Sequence, residues 1–293
     1  MFEGVHTALV TPFLETGIID TESFRNLIDK QFDNGVRGVV PVGTTGESPT
    51  LSMEEHHRVV EIAVKQTAKR GLVIAGTGSN STREAVDLTQ AAEQAGADAA
   101  LLVTPYYNKP SQEGLFQHYG AIASSTELPL VLYSIPGRCH IEIEVDTLVR
   151  LAKEFPTIKA IKEAGGVTER VRQLRAALPD EFEILSGDDA LAIDFIREGG
   201  VGVISVASNL IPGPMASMVD AMLDGRVGEA ESIEAKFTGL FQTLLKLDTN
   251  PVPIKAALGL TGECLPKMRL PMVQMSDEKV AELRSMLESL DLL

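Results

Sequence analysis

Tryptophan is absent from the 293 residues, aromatic residues make up only 5%, and cysteine occurs twice, at Cys139 and Cys264. Two cysteines are too few for a disulfide framework. No C-x-x-C or H-x-x-x-H pair occurs, so no metal site is predicted. Basic residues are in deficit: 26 Lys and Arg stand against 41 Asp and Glu, a net charge of −15. A field of that sign disfavours nucleic acid or an anionic membrane surface as partner. Any anionic substrate must then be held by a few local donors. No apolar run approaches the roughly 18 residues of a spanning helix. The opening MFEGVHTALVTPF has no basic stretch followed by a long apolar one, so it does not read as a signal peptide. These absences predict a cytoplasmic enzyme or binding protein with free thiols.

What the chain does contain is a regular alternation. Eight short apolar runs fall at Gly4–Phe13, Val36–Gly43, Leu72–Gly78, Ala97–Tyr106, Leu130–Ile135, Ile158–Ala164, Glu183–Ser186 and Val201–Ala207. Most are rich in Val, Ile, Leu and Ala without clean two-residue alternation, as parallel strands covered on both faces require. Amphipathic segments lie between them. Asp20–Asn34 starts at a capping Asp20 or Thr21, Ser52 with Glu55 forms a capping-box pattern, and Gly96 follows Ser81–Ala95 as a helix stop. Eight such units predict a (β/α)8 TIM barrel over residues 1–224. A doubly wound sheet is the alternative, but no G-x-G-x-x-G follows the first strand. Residues 225–293 change character. Arg226–Leu247, Val252–Leu260 and Ser276–Leu290 read as helices with no strand between them, a C-terminal helical extension.

Barrel enzymes carry their chemistry at the C-terminal ends of the strands. The second run ends in Gly43-Thr44-Thr45-Gly46-Glu47-Ser48, whose glycines allow close backbone approach and whose threonines offer donors to an anion. The fourth ends in Thr104-Pro105-Tyr106-Tyr107, which also suits a surface or an interface. The fifth ends in Tyr133 and reaches Pro136-Gly137-Arg138, where an arginine can clamp a carboxylate. The seventh ends in Ser186-Gly187-Asp188-Asp189, with Asp188 a helix cap. The sixth, IKAIKEA, places Ile158, Ala160 and Lys162 on one face and Lys159, Ile161 and Glu163 on the other. A lysine facing a packed interior either finds a partner or loses its proton, and the neutral amine attacks carbonyl carbon. The plain alternative is a surface lysine on an edge strand. Lysine, tyrosine, threonine loop and arginine together are what a Schiff-base enzyme acting on a keto acid needs.

Gly43-Thr44-Thr45-Gly46-Glu47, Tyr133 through Arg138, and Ile161-Lys162-Glu163-Ala164 closely resemble the dihydrodipicolinate synthase/N-acetylneuraminate lyase family. The resemblance runs through the helical tail. It implies condensation of pyruvate with L-aspartate 4-semialdehyde, with no cofactor beyond the Schiff base on Lys162. It implies Tyr133 as acid/base, and Thr44 with Tyr107 as a proton relay in which Tyr107 comes from a neighbouring subunit. Thr45, Ile204 and Gly187 become pyruvate contacts and Arg138 the receiver of the semialdehyde carboxylate. The implied assembly is a homotetramer, a dimer of dimers. Family members often continue Arg-Thr-Gly, whereas Cys139-His140 follows Arg138, which bears on the choice of aldehyde. Ser48, His56, Asn80, Glu84 and Tyr106 match a lysine-binding effector cleft, with a helix-surface role as the alternative for His56. Met53 and Pro49 depart from the lysine-sensitive pattern, so inhibition by L-lysine is expected to be weak or absent. Two alternatives stay open: a sialic-acid or sugar-acid aldolase of the same family, and a non-catalytic keto-acid or amino-acid sensor.

Overall fold

The computed structural model describes residues 1–293. Eight parallel strands close a barrel in chain order: β1 (Gly4–Ala8), β2 (Gly38–Val40), β3 (Leu72–Gly76), β4 (Ala99–Val103), β5 (Leu130–Ser134), β6 (Ile158–Glu163), β7 (Glu183–Ser186) and β8 (Gly202–Ser205). Each lies within one predicted run. The residues by which the longer runs overshoot are loops at the C-terminal rim, such as Leu9–Phe13 and Thr104–Tyr106. The absence of alternation has a direct cause, because both strand faces are buried. Val40, Ile74, Leu101, Val131, Ala160 and Leu185 fill the barrel, with Phe2 among them. Val39, Val73, Leu102, Leu132, Ile161 and Ile184 pack outward against the helices.

The local signals that start and stop the helices work as read. Asp20 caps Thr21–Asp33 by accepting from the N–H groups of Glu22 and Ser23. Ser52 and Glu55 form the reciprocal capping box of Met53–Thr67. Gly96 closes Thr82–Ala95 at φ 87°, a conformation glycine adopts at no steric cost.

One placement is corrected. Ile158 was expected beneath Lys162, but it packs with the outer layer, beside Leu130. The β5–β6 register shifts between Leu130 and Val131: Leu130 pairs with Ile158 and Val131 with Ala160. Lys159 is the extra residue and stands exposed. A bulge breaks the two-residue period, so Ala160 and Lys162 face inward while Ile158 does not.

Helices Val227–Lys246, Val252–Leu260 and Asp277–Ser289 form the C-terminal region. Their apolar faces share one cluster with Val5, Val203 and Met218, so they pack onto the β8–β1 side of the barrel. No helix is long and apolar enough to cross a membrane.

Closure depends on close approach at one seam. Gly4 and Gly202 are register partners, and a Cβ on Gly202 would lie 2.0 Å from the carbonyl oxygen of Gly4. Gly202→Ala is therefore expected to destabilise the protein by about 1–3 kcal/mol through overpacking. Urea unfolding that shows an unchanged midpoint would contradict this.

Candidate active site

The C-terminal rim surrounds an open-mouthed cavity lined by Thr44, Thr45, Tyr133, Arg138, Lys162 and Gly187, among others. Lys162 and Tyr133 are register partners on adjacent strands, which sets the Lys162 ammonium 4.2 Å from the centre of the Tyr133 ring. Lys162 is 5% exposed. Gly187 makes room for it: a Cβ there would meet Lys162 Cε at 3.1 Å and Ala164 at 2.6 Å. Burial pushes the Lys162 pKa down to about 8; the Asp189 carboxylate opposes the shift and the Arg138 charge adds to it. Burial also drives the Tyr133 phenol up to about 12, with Arg138 and the Thr44 hydroxyl pulling against it. At neutral pH the site thus holds a protonated phenol beside an amine that gives up its proton readily. That pairing can deliver a nucleophile and a proton donor to one carbonyl.

The side of the cavity that carries Thr45 and Arg138 is built from loops. Thr45 is buried, and its Oγ1 accepts from Asn250 Nδ2 at 3.0 Å. Arg138 lies in the short helix Pro136–Cys139 and donates from Nη2 to the Asn250 carbonyl at 2.9 Å. The Asp188 side chain caps the turn at Asp189–Leu191 by accepting from the Ala190 N–H at 2.9 Å, as predicted. Asp189 accepts from the N–H groups of Val206 at 3.1 Å and Ala207 at 2.9 Å, tying the seventh strand end to the eighth.

Not every predicted residue meets the site. Tyr107 is 92% exposed and lines no part of the cavity within this chain. Ile204 is fully buried in the barrel interior. Ser48 and Tyr106 line a second cavity that shares Thr44, Tyr133 and Arg138 with the first. Asn80 donates to the Tyr106 carbonyl at 3.1 Å, and Glu84 accepts from Ser79. His56 is not a surface histidine: it is buried, with Nε2 2.8 Å from the Gly76 carbonyl, and burial lowers its pKa.

A second buried lysine escaped the sequence reading. Lys255 is 0% exposed. Its ammonium donates to Glu47 Oε1 at 2.6 Å and the Thr11 carbonyl at 2.9 Å, and stands 4.4 Å from the Phe13 ring centre. Glu47 ends the Thr44-Thr45 loop in a left-handed conformation at φ 55°, and its other oxygen accepts from the Arg269 N–H at 3.2 Å. Arg269 in turn forks onto Glu55 at 2.6 and 2.8 Å. The signal was available as the single charge in the otherwise apolar helix VPIKAALGL. Lys255→Ala strips Glu47 of its counter-charge in a dry setting and is expected to cost about 3–5 kcal/mol. Chemical denaturation reads this directly, and a loss below about 1 kcal/mol would contradict it.

Residues 1–290 match the dihydrodipicolinate synthetase family. A 4-hydroxy-tetrahydrodipicolinate synthase of Syntrophobacter fumaroxidans is 48% identical over 295 aligned positions, covering 100% of both chains. The solved 4-hydroxy-tetrahydrodipicolinate synthase of Methylacidiphilum fumariolicum superposes with a TM-score of 0.97 at 48% identity, covering 99% of this chain and 96% of that one. A chloride-inhibited dihydrodipicolinate synthase of Acinetobacter baumannii, solved with pyruvate, gives 0.97 at 42% identity over 100% of both chains.

Proposed function

The chain belongs to the dihydrodipicolinate synthetase family, and from that membership we propose that it acts as a 4-hydroxy-tetrahydrodipicolinate synthase, a lyase of the diaminopimelate–lysine branch. It condenses pyruvate with L-aspartate 4-semialdehyde. The observation that carries this reading is Lys162, buried against Tyr133 in the rim cavity with its pKa lowered to about 8.

The neutral Nζ attacks C2 of pyruvate, and loss of water gives the protonated Schiff base. That cation acidifies C3; loss of a C3 proton yields the enamine, which adds to the semialdehyde carbon. Attack of the semialdehyde's own amine on the imine carbon closes the ring and expels Lys162 Nζ. Tyr133, kept protonated by its burial, supplies and recovers the protons at the carbinolamine oxygen and the new hydroxyl. Thr44 beside it relays protons, joined by a Tyr107 donated from a neighbouring copy; the exposure of Tyr107 supports that arrangement. Thr45 and the backbone at Gly187 and Ile204 receive the keto acid, and Arg138 receives the second carboxylate. Lys162 itself is the only covalent group required, the assembly is a dimer of dimers, and the setting is cytoplasmic. The sensor reading is disfavoured by an amine and a proton donor held together at the bottom of an open cavity.

The sign of the pH response follows from the direction of the shift. A lysine lowered to about 8 is neutral in about one molecule in ten at pH 7, against about one in three thousand at its ordinary value. Trapping of pyruvate by borohydride should therefore rise through pH 8 and level off above it, with one adduct per chain at Lys162. Lys162→Ala should abolish both adduct and turnover; a variant that keeps substantial turnover would overturn the mechanism. Product analysis with pyruvate and a panel of aldehydes separates this reading from a sugar-acid aldolase, which would prefer an aldose.

Ser48, Tyr106, Asn80, Glu84 and His56 form a lysine effector cleft of low sensitivity, of which Ser48 and Tyr106 line the second cavity. Pro49 lines it in place of a more permissive residue, and Met53 is an exposed apolar side chain. Millimolar L-lysine is expected to leave most turnover intact in a coupled assay, and abolition of turnover would refute this.

A further inference from the structure

Asn250 belongs to the C-terminal region, on the turn between Val227–Lys246 and Val252–Leu260, yet it lines the cavity that holds Lys162. It touches both carboxylate-binding groups at once. Its Nδ2 donates to Thr45 Oγ1 at 3.0 Å, and its backbone carbonyl accepts from Arg138 Nη2 at 2.9 Å. Its Oδ1 is buried without a partner, so the bond to Thr45 is the one hydrogen bond of the side chain.

A threonine hydroxyl has one proton to give and two lone pairs. With the amide N–H filling a lone pair, the proton of Thr45 is directed away from Asn250 and toward the cavity. A carboxylate accepts hydrogen bonds and cannot donate them. The direction of the Asn250–Thr45 bond thus decides whether Thr45 can serve an anion at all. The reversed amide, or any acceptor at this position, would draw the proton out of the cavity.

We propose that Asn250 is a positioning residue that fixes the Thr45 hydroxyl as a donor to the keto-acid carboxylate and, through its carbonyl, holds the Arg138 guanidinium at the same cavity. The proposal rests on the pyruvate reading above. The side chain serves the first carboxylate and the main chain the second, so side-chain variants should act on pyruvate more than on the aldehyde.

The test measures kcat and KM for both substrates in the full-length chain, its N250A, N250D and T45V variants, and the T45V/N250A double variant. N250A should raise KM for pyruvate about tenfold, the scale of one hydrogen bond to a charged group, with kcat within about twofold. In the T45V background the same change should have little further effect, because the two residues act in series. N250D keeps the shape of asparagine but can only accept, and it repels the substrate carboxylate. It should raise KM for pyruvate more than N250A does, whereas a packing role predicts that the isosteric variant is the milder one. The proposal fails if N250D is equal to or milder than N250A, or if the N250A and T45V effects multiply. Should circular dichroism show N250D unfolded, the T45V/N250A cycle alone decides. Borohydride trapping of the unmodified chain keeps the levels apart. Absence of a pyruvate adduct refutes the parent reading, while a normal adduct with unaltered KM in the variants overturns only the role of Asn250.

Discussion

Two lysines are buried in this barrel, burial lowers the pKa of both, and the protein gives them different partners. Taking an ammonium out of water costs free energy that only a counter-charge or the loss of the proton can offset. Lys255 meets a carboxylate at 2.6 Å and a carbonyl at 2.9 Å, and it serves as a structural tie. Lys162 meets an aromatic face and a glycine, with Asp189 acting on it as a distant charge, and its pKa falls to about 8. Burial without a direct counter-ion leaves its amine easier to deprotonate. A direct carboxylate partner would stabilise the ammonium and silence the amine.

The surroundings of Lys162 follow from the same constraint. A site without a full counter-charge must still bind two anionic substrates. On the proposed function the groups the cavity offers them are neutral donors on the Thr44-Thr45 loop and one guanidinium, Arg138, whose own charge helps to depress Lys162. Neutral donors bind only if they are aimed, and aim requires rigidity. Here the rigidity comes from outside the barrel: Asn250 on Thr45, Lys255 and Arg269 on Glu47. The C-terminal helices are in this sense part of the site.

The barrel was legible because eight runs with both faces buried leave a repeating pattern, and a lysine at the end of the sixth is conspicuous. Ile158 was misplaced because one bulge inverts the facing of everything before it, and a bulge leaves no mark in the IKAIKEA pattern. Tyr107 could not be placed from one chain, since its ring projects into solvent there. The polar cluster Glu-Glu-His-His left a helix-surface role open for His56, and only the fold reveals the β3 carbonyl that takes it in. Asn250, Lys255 and Arg269 were missed for a common reason. Their partners lie 205, 208 and 222 positions away, and no local periodicity registers a pair so distant.

That separation has a consequence for the birth of the molecule. The loop from Thr44 to Glu47 leaves the ribosome well before the residues that meet its charge. At about 5–20 residues per second, Lys255 follows Glu47 by something on the order of ten to forty seconds. Until then the nascent barrel carries Glu47 without its lysine partner, and the loop gains that support only after 208 further positions have been joined.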